Sequence, residues 1–155
     1  MTLIRRLMIP LASLSLLAHP PSKPNPEAEV QALVKAYHEA LVRKDMEALK
    51  KLFHPDLVVF EAGGVDKGRG AYLEHHLGPE LKELKSWTYG PMETSVLMGD
   101  PTSVALCRFT YEAILEGGKL SKGKATESLV LIRTAEGWRI RHLHWSSRAI
   151  EPSKP

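Results

Sequence analysis

Two imidazoles and two carboxylates stand out in this sequence as groups able to do chemistry together: His76, His144, Glu61 and Glu127, with His142 and Arg108 close by. Such N and O donors suit a divalent transition metal such as zinc, which would polarise a carbonyl or activate a water. The same groups also suit metal-free proton transfer. His144 would act as acid or base, Glu127 would orient it, and Arg108 would stabilise charge on a substrate oxygen. A third reading makes Arg108, Glu127 and His144 a buried hydrogen-bonded network that only closes the sheet. No His-Glu-x-x-His signature, paired-cysteine site, phosphate loop or nucleophile elbow is present, so the grouping depends on how the strands align.

The alignment is set by two turns. Strand side chains alternate between faces, so His142, His144 and Ser146 share a side. A symmetric turn within Thr134-Ala135-Glu136-Gly137 places Glu127 opposite His144, and a two-residue Gly117-Gly118 turn places Arg108 opposite Glu127. Arg108, Glu127 and His144 then form one row across three strands, the expected floor of a pocket, which one β-bulge would scatter. On the same reading Trp145 and Phe109 lie on the outer face. Cys107 falls on the sheet face opposite to that of His144, as a small core residue.

The helices supply the other wall. Asn25 caps a helix with Pro26 at its first position and Val30, Leu33, Val34, Tyr37 and Leu41 on its buried side. Tyr37 and His38 are within reach of a ligand, although a tyrosine placed like Tyr37 more often belongs to the core. Asp45 caps a short second helix over Met46 to Phe53, stopped by His54-Pro55. Leu57 to Glu61 is a strand turned by Gly63-Gly64. A third helix after Arg69 puts Tyr72, Leu73, His76 and Leu77 on one side with His75 pointing away, and Gly78-Pro79 breaks it. Strands near 87–98, 102–116, 124–133 and 138–147 follow. The expected fold is α+β, a cone-shaped roll of three N-terminal helices packed on a curved antiparallel sheet. Candidate ligand contacts are Tyr37, Tyr72, His142 and Ser146.

At 155 residues with 43% hydrophobic and 25% charged residues, the chain suits a single globular domain. Residues 1–18 have the layout of an export leader, Arg5 and Arg6 ahead of an apolar run too short for a stable membrane anchor, which predicts a periplasmic or extracellular location. Residues 19–25 read as a proline-rich linker, 26–150 as the domain and 151–155 as a tail. Losing Arg5 and Arg6 takes the 21 basic residues to 19 against 18 acids, leaving no electrostatic case for nucleic acid. The lone Cys107 makes no internal disulfide.

The order of elements resembles the nuclear-transport-factor-2-like fold, and the residues most resemble its SnoaL-like branch of unassigned function. Tyr37-His38-Glu39-Ala40-Leu41, Glu61-Ala62-Gly63-Gly64, His75-His76-Leu77 and His144-Trp145-Ser146-Ser147-Arg148 carry the resemblance, which spans roughly Glu27 to Arg148. It implies a conical small-molecule pocket between helices and concave sheet, and a homodimer formed through the outer sheet face. Relatives include isomerases, polyketide cyclases, dehydratases, ligand-binding proteins and association domains, so the alternative to an enzyme is a non-catalytic dimeric binding or accessory module. The Tyr and paired-Asp arrangement of ketosteroid isomerases has no match here.

Overall fold

The structure is a computed structural model that describes residues 25–150; the leader, most of the linker and the tail lie outside the described residues. Helix α1 (Pro26–Arg43) starts where Asn25 accepts a hydrogen bond from the Glu27 amide, and ends at Lys44 in the left-handed region. Its buried stripe holds Val30, Leu33, Val34, Tyr37, His38 and Ala40, wide enough to place two adjacent polar rings inside. Helix α2 (Met46–Leu52) is capped by Asp45, whose carboxylate accepts from the Ala48 amide. Strand β1 (Phe53–Glu61) turns through Ala62-Gly63, both at positive φ, into β2 (Gly64–Lys67).

The expected break at Gly78-Pro79 does not occur. Helix α3 (Arg69–Ala71), a π-helical segment (Tyr72–Leu77) and α4 (Gly78–Glu83) run end to end. Proline offers no N–H to bond a carbonyl behind it, and the wider π turn accommodates that loss, with the Gly78 amide donating to the Leu73 carbonyl five residues back. Glycine is required at 78, because a Cβ there would sit 2.5 Å from the Leu73 oxygen.

Strands β3 (Leu84–Leu97), β4 (Thr102–Leu115), β5 (Leu120–Thr134) and β6 (Gly137–Ala149) complete a six-stranded sheet of order β2-β1-β6-β5-β4-β3, in which only the β1–β6 pair is parallel. One face packs on the helices around Phe53, Leu57, Val59, Ala105, Leu129, Leu131, Ile140 and Leu143.

Both hairpins of the meander differ by one residue from the expected registers. The β4–β5 connection is a three-residue Glu116-Gly117-Gly118 loop with Gly118 at φ +78°, rather than a two-residue turn, so Glu127 pairs with Cys107. The β5–β6 turn is symmetric, as expected, with two residues, Ala135-Glu136. However, Arg141 forms a bulge between the Val130–His142 and Leu131–Ile140 pairs and sets Glu127 opposite Trp145. Arg141 is drawn aside there by a hydrogen bond to the Asp56 carbonyl. Each one-residue change swaps the faces, so the row beside Glu127 is Cys107 and Trp145.

Candidate functional site: an aromatic cavity lined by carboxylates

Glu127 projects from the middle of β5 into the interior, where it is 3% exposed. A buried carboxylate needs donors, and α1 provides two: the Tyr37 hydroxyl donates to Oε1 at 3.1 Å, and His38 Nε2 donates to Oε2 at 2.8 Å. Burial, and then the negative charge of Glu127, push the Tyr37 hydroxyl well above its ordinary pKa, which keeps it protonated as a donor. His38 Nδ1 has no protein partner among the described residues. Its ring packs against Tyr37, Tyr89 and Phe109. Cys107 lies behind this group, its thiol pushed up to about 11 by burial and Glu127, with Thr94 working against them.

A cavity of about 380 Å³ opens over Glu127. Tyr37, Tyr72, Trp87, Tyr89, Tyr111 and Trp145 line it together with several leucines, and Glu61, Glu80, Glu83 and Lys119 add charge. Trp87 stacks on Tyr111 at 4.6 Å, and Trp145 meets both edge-on at 5.7 Å. The buried indole N–H of Trp87 faces the Tyr89 hydroxyl: burial raises the pKa of that hydroxyl and the Trp87 N–H works against it. An aromatic enclosure with polar groups set into its wall is what a small-molecule site needs.

The second carboxylate stands at the end of β1. Leu57, Val59 and Glu61 share the inner face by alternation, which brings Glu61 Oε2 to 3.8 Å from His76 Nε2. Burial and the nearby Glu80 raise the Glu61 carboxyl to about 7, against the lowering effect of His76. His76 Nδ1 lies 2.7 Å from Asp66 Oδ2, and its Nε2 lies 3.2 Å from Glu80 Oε1. Partial burial opposes charge on His76, but Asp66, Glu80 and Glu61 outweigh it and raise its pKa.

The structure therefore brings together Tyr37, Tyr72, Glu61, His76 and Glu127, and separates them from Arg108, His142, His144 and Ser146. Arg108 is exposed on the outer face, paired with Glu93 at 2.7 Å. His144 is exposed and His142 half-buried, both beside Phe60 on that face. Ser146 lines an outer groove with Arg108 and Thr126. Trp145 and Phe109 make the opposite correction: they face inward and meet edge-on at 6.0 Å. Sequence reasoning gave His38 no fixed place, yet Val30, Val34 and His38 are four apart and share a buried line. Asp66, Glu80, Trp87, Tyr89 and Tyr111 were missed, since no local pattern connects them across strands.

Residues 30–151 match the model of a SnoaL-like domain. No curated protein matches the chain. Among solved structures, a nuclear transport factor 2-like superfamily protein from Salmonella enterica is 20% identical over 83% of this chain and 94% of its own, with a TM-score of 0.72. A protein from Shewanella frigidimarina carrying the provisional name of ketosteroid isomerase is 26% identical over 79% and 98%, at 0.66. The CaMKII hub of S. rosetta is 20% identical over 81% and 99%, at 0.64.

Proposed function

The chain belongs to the SnoaL-like domain family, and from that premise we propose that it is a small-molecule pocket protein whose interior carboxylate, Glu127, moves a proton on a bound carbonyl or hydroxy compound. The observation carrying this reading is a carboxylate that lines an aromatic cavity while held from behind by Tyr37 and His38. Each oxygen spends one lone pair on its donor and retains another for a ligand. In such a complex Glu127 takes a proton from the carbon next to a carbonyl, and the same carboxyl returns it to the enolate. The provisional name of the Shewanella relative is compatible with this class of reaction.

Binding is tested by titrating the tryptophan fluorescence with p-cresol, a neutral phenol sized for the cavity. Saturable quenching that is lost in Trp87→Ala supports the pocket. Quenching that rises linearly without saturation counts against it. The leader-like residues 1–18 support export, testable by locating the protein in cell fractions.

A second reading, a self-associating accessory module, is favoured by one observation: the outer sheet face leaves Phe60 and Leu106 about two-fifths exposed. Sedimentation would show a dimer that Leu106→Lys dissociates. A monomer at all concentrations would remove this reading.

A further inference from the structure

The side chains around His76 converge on one point in a way that would also suit a metal cation. His76 Nδ1 sits 2.7 Å from Asp66 Oδ2, so the neutral ring that metal binding requires would keep its proton on Nδ1, shared with that carboxylate, and present a lone pair at Nε2. That lone pair faces Glu80 Oε1 at 3.2 Å and Glu61 Oε2 at 3.8 Å, so three electron-rich atoms converge. Their ligand atoms all lie within 4.8 Å of one another. A proton on Nε2 bridges to Glu80 but leaves Glu61 beyond hydrogen-bond range. A metal ion satisfies all three. Ligands 2.0–2.1 Å from a tetrahedral ion are separated by roughly 3.4 Å, close to both measured contacts.

We propose that Glu61, His76 and Glu80 form a binding site for a divalent transition metal on the cavity wall, with Asp66 orienting the imidazole from behind. One imidazole and two carboxylates suit zinc or manganese, and a carboxylate on the far ring nitrogen is the usual outer support of such a histidine. Four elements converge to build the site: the end of β1, β2, the π segment and α4. The π segment matters because its extra residue sets the rotation of α4, so that His76 and Glu80 approach Glu61 together. Glu61 and Glu80 both line the cavity, so a remaining coordination position would be open to the small molecule. The other convergent set, His38, Cys107 and Glu127, is fully buried, and its imidazole is already bonded to its carboxylate.

The test is calorimetric titration of ZnCl₂ into full-length protein made without a histidine tag and stripped with a chelator, at pH 7.5. One saturable equivalent is expected. His76→Ala and Glu80→Gln should each reduce affinity by at least 10-fold, and Asp66→Asn by about 10–100-fold. His75→Ala, His144→Ala and Glu127→Gln should bind as the wild type does. Glu80 is exposed, so its variant tests the site without disturbing the core, and circular dichroism checks every fold. Absence of saturable binding in the wild type, or wild-type affinity in folded His76→Ala or Glu80→Gln, overturns the site. Because Glu127→Gln keeps the metal, failure here is distinguishable from failure of the Glu127 reading.

Discussion

The chemistry of this protein turns on which side chains share the interior with Glu127. Tyr37→Phe removes one of its two donors and should lower stability by about 1 kcal/mol in urea unfolding. Glu127→Ala leaves a buried phenol and imidazole unpaired and should cost about 3–5 kcal/mol. Equal costs for the two variants would show that Tyr37 and His38 do not depend on the carboxylate. Cys107 offers a pH test. With its thiol raised to about 11, it should resist a thiol reagent at pH 8 in the folded protein and react rapidly once unfolded. Fast labelling of the native state would contradict its burial. Residue types alone identified Glu61, His76, Tyr37 and Tyr72 as candidates, because acids and imidazoles beside apolar runs stand out. They could not exclude His144 and Arg108, which are equally capable chemically and differ only in the face they occupy.

That choice of face is made by elements, through single residues. Helix starts were legible, because Asn25 and Asp45 act by local hydrogen bonds that a sequence displays. Register was not. A Gly-Gly pair suits a two- or a three-residue loop, and a bulge at Arg141 depends on a carbonyl 85 positions away. The helical run is a second case: Gly78-Pro79 reads as a stop but is absorbed by a π turn. Gly78→Ala should destabilise the fold, since its methyl meets the Leu73 carbonyl. Gly70→Ala, with open space around it, should gain about 0.4–1 kcal/mol by restricting the unfolded chain. Thermal unfolding of the pair checks this. A harmless Gly78→Ala would mean that the π segment relaxes freely.

For the whole molecule, the α+β architecture and its family were legible because they rest on element order and hydrophobic periodicity, which survive one-residue register errors. The site does not survive them. The architecture also explains why the polar groups are unequal: residues on the concave face are enclosed by helices and aromatics, whereas those on the outer face meet water and pair along the surface, as Arg108 does with Glu93. Electrostatic interactions weaken in water, which favours the enclosed set over the exposed one for the proposed proton transfer. The most direct measurement is deuterium uptake from D₂O at the carbons beside the carbonyl of cyclohexanone, followed by mass spectrometry. The wild type and His144→Ala should accelerate uptake equally, and Glu127→Gln should reduce it to the rate in buffer. Full activity in Glu127→Gln, or its loss in His144→Ala, would contradict the assignment of the chemistry to the interior.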